Sequence, residues 1–317
     1  MSIRQIIPSR HLFSLSLFLV SVCLTIPMLV YSQAVAGQKT FASPLEAVNT
    51  LVAAARSGDP AHLVPLLGPQ ATDLISSGDL GAAKDVLASF VKAYAEKHSL
   101  FAEGQGYESL QVGRHDWPFP FPIVRDGKTW YFDIARGNEE IADRRVGRNE
   151  LGAIAVCEGY VQSQVEYASK GHDGSPSGIY AVRFRSSPDK HDGLYWPTVA
   201  GQESPMGSLI AEAVPEEVSK QDGKSATPYH GYFYRMLTAD GPQAPNGAKS
   251  YMVDGKATGG FALIAYPAQY GVTGVMTLIV NRDGVVYEQD FGDRTAQVAS
   301  EITTYNPDES WYGALDE

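Results

Sequence analysis

The sequence predicts an α+β protein in which two helix-and-sheet units follow one another, on three observations. Leu45, Val48, Val52 and Ala55, and then Leu80, Ala83, Leu87, Phe90 and Tyr94, recur at three- and four-residue spacing and read as amphipathic helices. A longer stripe of the same kind runs through Leu151, Ile154, Cys157, Val161, Val165 and Ala168. After each helical block come short alternating segments separated by Gly and Asp-Gly turns, the pattern of antiparallel strands.

In chain order, residues 1–36 stand apart. Arg4 and Arg10 precede an apolar run over 12–31, and Ala34-Val35-Ala36 before Gly37 is a small-residue cleavage pattern. This reads as a secretory signal cut between Ala36 and Gly37, placing the protein in the periplasm or outside the cell. The alternative is an inner-membrane anchor formed by residues 12–31, since the run is long enough to span a bilayer. An uncleaved leader is then the protein's one expected link to the membrane.

Residues 37–137 form the first unit. Ser43 is placed to cap a helix with Pro44 at its first position, and Gly58-Asp59-Pro60 stops it and starts a short second one. Asp79 is the expected cap of the third helix. The short strands that follow end in a hairpin around Asp126-Gly127. "WPFPFPIV" (117–124) holds three prolines and reads as an extended edge or rigid loop. Residues 138–147 are expected to be a charged linker or helix start, alternatively a docking surface for an envelope partner.

Residues 148–305 form the second unit: the long helix, ended by Gly171, an irregular Gly-, Pro- and Ser-rich stretch over 172–227, a short helix at "SLIAEAV", and four strands. The strands are "GYFYRML", "GGFALIAYPA", "GVMTLIVN" and "GVVYEQDFG", the last two joined around Asp283-Gly284. "RTAQVASEI" reads as a terminal helix and 306–317 as an acidic tail.

Composition bounds what such a protein binds. Hydrophobic residues make up 44% and charged residues 19% of 317, as in ordinary globular chains. The net charge of −11 becomes −13 when the two arginines of the leader leave, which disfavours nucleic acid. Only Cys157 survives that processing, so no intrachain disulfide forms and stability has to come from core burial. Its place on the helix stripe makes it a buried structural thiol.

Over most of its length after the leader the chain resembles the bacterial domain-of-unknown-function 2950 family. "WPFPFPIV", "TWYFDIARGNEEIADRRVGRNEL", "DGLYWP", "PYHGYFYRMLT" and "GGFALIAYPAQYGVTGVMTLIVN" carry the resemblance. It implies an exported bacterial protein with no assigned activity. The early helices and the closing "TWYFDIARGNEE" resemble the nuclear-transport-factor-2-like fold. Residues 148–292 resemble the globular head of type IV pilins and pseudopilins, where a long helix packs on an antiparallel sheet. Pilins carry an apolar span directly before that helix, and here "EEIADRR" puts five charges there, which argues against filament assembly by the pilin route.

The candidate chemistry is thin. On a strand, His230, Tyr232 and Tyr234 share one face with Met236, while Phe233, Arg235 and Leu237 share the other. Both faces are expected to be covered, one by the long helix and one by the other domain or a loop. His230, Tyr232 and Tyr234 are then either part of a packed aromatic strand or the polar handles of a ligand pocket between the units. Three His-Asp pairs, at 115–116, 172–173 and 191–192, lack the convergent spacing of a metal site. "SPDK" (187–190) matches a serine–lysine nucleophile pattern, but Pro188 sits inside the turn and its companion motifs are missing. The expectation is a non-enzymatic envelope protein without cofactor or metal, whose partner is another envelope protein or a small ligand. A periplasmic hydrolase with a cleft near His230 and a pseudopilin-like filament component are the alternatives.

Overall fold

The structure is a computed structural model that describes residues 33–69, 71–72, 80–198, 203–207 and 227–314. The apolar leader run, Asp79 and "SLIAEAV" lie outside the described residues. It is a mixed α+β architecture with antiparallel sheets, as the alternation of helical stripes and turn-bounded strands requires.

The chain enters helix α1 (Pro44–Arg56) through a reciprocal cap. Ser43 Oγ accepts from Glu46 N at 3.2 Å, and Glu46 Oε2 accepts from Ala42 N at 2.9 Å. Asp59 caps a 3-10 turn at Pro60–Leu63 that runs into α2 (Val64–Leu67), and α3 (Leu80–Glu96) follows. The first sheet comprises β1 (His98–Gly104), β2 (Tyr107–Val112), β3 (Trp117–Pro118), β4 (Ile123–Asp126) and β5 (Thr129–Phe132). Its order is β1-β2-β4-β5, with β3 beside β2. The Asp126-Gly127 hairpin forms as expected, with Gly127 at φ +59°. "WPFPFPIV" splits: its start pairs with β2, while Ile123 and Val124 open β4, an inner strand. Both lie beyond the last of the three prolines, so nothing there removes a ladder donor. Leu51, Leu67, Leu110, Ile123 and Phe132 form the core of this half.

Helix α4 (Ile134–Ser169) is 36 residues long, roughly 54 Å. The segment expected to be a linker, 138–147, is helix interior. The chain does not pause because its charges pair along the helix: Arg144 Nε meets Glu140 Oε1 at 2.7 Å, one turn apart. Ile134 belongs to the first core and Ala153 onward to the second, so one rod serves both halves.

The buried face of α4 is rotated from the apolar stripe. Leu151 and Val165 are 64% and 57% exposed, whereas Tyr160, Ser163, Gln164 and Tyr167 are buried. Polar residues win the inner positions because their hydrogen bonds are satisfied there. Gln164 Nε2 donates to Tyr160 Oη at 3.1 Å and to Ala181 O at 2.9 Å, and Gln164 Oε1 accepts from Ala181 N at 3.0 Å.

The second sheet is antiparallel and has the order β14-β13-β12-β11-β6. Its strands are β6 (Tyr232–Leu237), β11 (Ala262–Pro267), β12 (Thr277–Asn281), β13 (Val286–Gln289) and β14 (Tyr312–Gly313). Between β6 and β11 run two small ribbons: β7 (Ala239–Asp240) with β8 (Lys249–Ser250), and β9 (Met252–Val253) with β10 (Lys256–Ala257). Tyr232, Tyr234, Leu263, Leu278 and Val280 face α4. Leu237, Ile264 and Ile279 face the other way, where the terminal helix α5 (Thr295–Glu301) and Tyr305 cover them. That cover comes from the chain's own C-terminal end and not from the first half. Arg235 fastens it: Nη2 donates to Ala299 O at 2.5 Å and Ile302 O at 2.7 Å, carbonyls at the open end of α5. Within the expected acidic tail, Tyr312 and Gly313 add an edge strand to the sheet.

Candidate functional site

His230 does not join the strand on which the sequence places it. It occupies a turn at φ +48°, exposed, two residues before β6 begins. Its ring lies 4.3 Å from that of Tyr229 and against Gly152 of α4. Tyr232 and Tyr234 do lie on the strand and are wholly buried under α4. Their hydroxyls are engaged: Tyr232 Oη donates to Met276 O at 2.9 Å and Tyr234 Oη to Tyr229 O at 3.2 Å. The turn departs from the period-two rule because a tight reversal precedes the strand, with Gly231 also at positive φ and Tyr229 bridged to Tyr232.

Burial pushes the hydroxyls of Tyr160, Tyr232 and Tyr234 upward, and that of Tyr167 up to about 12 from an ordinary 10. Folded, these groups keep their protons at a pH where the unfolded chain has begun to lose them. Their contribution to stability is therefore complete below pH 10 and declines as pH rises toward about 12. Urea midpoints are expected to be lower near pH 12 than below pH 10; equal midpoints would mean that these hydroxyls are not desolvated. Burial raises the Cys157 thiol in the same way, consistent with a structural and unreactive side chain.

The His-Asp pairs at 172–173 and 191–192, which sequence spacing kept apart, meet in space. His172 and His191 both lie against Trp196, at ring distances of 5.7 and 4.4 Å, and Asp173 Oδ2 accepts from His191 N at 2.8 Å. Asp192 instead takes the amide and hydroxyl of Ser187, at 2.7 and 2.9 Å. Ser187 Oγ also accepts from Arg183 at 2.7 Å, so "SPDK" is a pinned loop. Among the described residues no three His, Cys, Asp or Glu side chains cluster as a metal site.

Among the described residues, a feature with room for a ligand lies in the first half. A cavity of about 910 Å³ opens between α1, α3, the proline-rich segment and α4. Leu51, Leu67, Phe90, Ala93, Phe121 and Ile141 are among its walls. The proline-rich segment explains one side of it. Prolines at 118, 120 and 122 hold the chain extended, so Trp117, Phe119 and Phe121 point the same way, and all three line the cavity. Asp85 and Glu96 of α3 and Arg114 after β2 are its charged lining groups, with His115 next to them. Arg114 Nε stands 3.9 Å from Glu96, and Lys97 Nζ holds Asp116 at 2.7 Å just outside.

One further cation stands beside this cavity. Arg144, one helical turn beyond Ile141, stacks on Trp117 with its guanidinium carbon 4.9 Å from the ring centre. Its Nη1 is buried and has no hydrogen-bond partner among the described residues. Sequence reading missed both cavity and arginine. The aromatic–proline alternation was the available signal for the first; nothing local marks Arg144 among the other charges of "EEIADRR".

The cleavage-site residues Ala36 and Gly37 form an exposed turn. Gln38, just after it, is tied down by its Nε2, which donates to Leu66 O at 2.9 Å and Phe132 O at 2.7 Å. Among the described residues no helix is long and apolar enough to cross a membrane.

Residues 38–313 match the family model described as "Protein of unknown function (DUF2950)". No curated protein and no solved structure matches the chain.

Proposed function

We propose that this chain, which belongs to the DUF2950 family, is an exported, non-enzymatic binding component of the bacterial cell envelope, and that it binds a small apolar ligand in the cavity beneath α3. The cavity is the observation that carries the reading. Its 910 Å³ falls within the range of roughly 300–1,000 Å³ that small-molecule sites occupy, and its walls are mostly aliphatic and aromatic. An apolar occupant would take these mostly apolar walls out of contact with water, which favours its binding.

Export is supported by the basic leader, the apolar run and the small residues ending at Ala36, with the cleavage turn exposed. Packing of α4 on β11, β12 and β13 supports reading the second half as pilin-like, a scaffold that buries its aromatic strands under a rod. The net charge of −11 disfavours nucleic acid as the partner.

N-phenyl-1-naphthylamine, a neutral dye that brightens in apolar surroundings, is expected to bind the leader-free protein saturably. Ala93→Trp fills the cavity from α3, and Val86→Trp plugs its mouth from a largely exposed position. Each variant is expected to lose most of the dye signal. Dye binding that survives both substitutions would remove the cavity from the proposal. Turnover of an envelope-derived substrate, abolished by one point substitution, would overturn the non-enzymatic reading.

A further inference from the structure

We infer that two copies of this chain pair through β1, the two strands running antiparallel about a two-fold axis at Leu100. The argument begins with an uncovered edge. β1 stands at one end of the first sheet, and among the described residues no strand lies on its far side. Six of its seven residues are exposed. The other edges are short or occupied: β3 and β14 are two residues long, β5 is bridged by Phe41, and the residues of β6 are buried or half-buried. A long open edge offers its free N–H and C=O groups as a template for another strand.

The ladder shows which groups face outward. Leu110 C=O accepts from Phe119 N at 2.7 Å, on the side of β2 away from β1, while Lys97 C=O accepts from Gly113 N at 2.9 Å. Bonded and unbonded positions alternate in an antiparallel pair. Leu100, opposite Leu110, therefore turns its N–H and C=O to the open edge, as do His98 and Ala102. The bulge of β1 comes after Ala102 and the strand has no proline, so this row is unbroken.

Charge then selects the register and the partner. A two-fold axis lays β1 of one copy against the same strand of the other. With Leu100 on the axis, His98 meets the partner's Ala102, so outward groups face outward groups. Lys97 stands opposite the partner's Glu103, and symmetry repeats the pair. Neighbouring centres lose this match. With Phe101 on the axis Glu103 meets the partner's Ser99, and with Ser99 on it Lys97 meets the partner's Phe101. Lys97 stays half exposed while it holds Asp116, and Glu103 is exposed with no ion pair among the described residues.

The apolar residues of β1 fit the same register. Phe101 is 54% exposed on the face opposite Leu100, and it comes to lie diagonal to the partner's Phe101, within reach of an aromatic ring. Leu100 is half-buried against the first core, which the partner's Leu100 continues across the seam. Two-fold pairing occupies the edge of both copies, so association stops at the dimer.

Sedimentation equilibrium of the full leader-free chain tests this. The mass is expected to rise with concentration from one chain to two and no further. Ala102→Pro removes an outward N–H and sets a ring on the edge without touching the bonds to β2. It should keep the melting temperature of the unaltered protein and be monomeric. Lys97→Glu and Glu103→Lys each place like charges opposite one another, and each should weaken the dimer about tenfold, whereas the two together restore it. Both positions are exposed, so these variants carry the test if the proline variant fails to fold. A chain that stays monomeric at every concentration overturns the proposal. So does a dimer that a folded Ala102→Pro variant keeps, or one that the single charge changes leave at full affinity.

Discussion

Replacing Gly137 by alanine is expected to destabilise the protein by about 2 kcal/mol, although alanine is the better helix former by about 1 kcal/mol at an open position. The reversal comes from Phe121. A methyl group on Gly137 would meet its ring at Cε1 (2.6 Å) and Cγ (2.8 Å), with Cδ1 closer still. Phe121 is itself packed into the first core, so yielding toward the hollow it lines would cost it those core contacts. The same helix carries its own controls. At Gly147 and Gly159 nothing lies within 4 Å of the added methyl, so alanine there should raise stability by about 0.5–1 kcal/mol. Gly152 faces His230, with Cγ at 2.6 Å, but that histidine sits exposed in a turn and can shift, so a smaller loss is expected. Urea unfolding of the four variants checks the order. Gly137→Ala as stable as Gly147→Ala would mean that α4 does not lie against Phe121.

Gln164→Leu should cost more, about 3 kcal/mol, despite placing an apolar residue at a fully buried site. Leucine leaves three groups behind without their partner: the Ala181 amide, the Ala181 carbonyl and the Tyr160 hydroxyl. Tyr160 retains one bond, from its hydroxyl to Ala262 O at 3.2 Å. The pair is therefore coupled, and the double variant Gln164→Leu, Tyr160→Phe should cost less than the sum of the single changes. Strict additivity would show that the glutamine acts only through the Ala181 backbone. Because Ala181 begins the irregular 180s segment, losing this clasp also frees that segment, and faster proteolysis there is the accompanying sign.

Local signals proved sound where one short stretch contains both cause and effect. Ser43 and Pro44 start α1, Asp59-Pro60 starts the next turn, and Asp126-Gly127 and Asp283-Gly284 make the two hairpins. These depend on capping oxygens and on backbone φ, both properties of neighbouring residues. The apolar stripe of α4 succeeded in type and only partly in phase, since Ile154 and Cys157 are buried but Leu151 and Val165 are not. Hydrophobicity favoured Leu151 and Val165 over Gln164, and the pattern carries no term for a polar side chain satisfied by a segment 17 residues away. The break expected at 138–147 failed for a related reason: a dense mixed charge reads as a linker until its members are seen to pair along a helix.

The candidate site divides along the same line. His230, Tyr232 and Tyr234 drew notice because rare polar and aromatic residues crowd one stretch, yet the histidine lies in the turn and the two hydroxyls serve carbonyls. The cavity has walls from α1, α3, residues 112–121 and α4, so no window of sequence contains it. By itself the sequence determined that this is an α+β chain of the DUF2950 family, which elements it builds and where several of them begin and end, because propensity, capping and turn geometry act between neighbours. Only the tertiary structure decided which face of the long helix is buried, that one helix serves two cores, and that Arg144 lies on Trp117 beside an apolar hollow. Those depend on which distant surfaces meet, and a hollow is defined by atoms that no stretch of chain brings together alone.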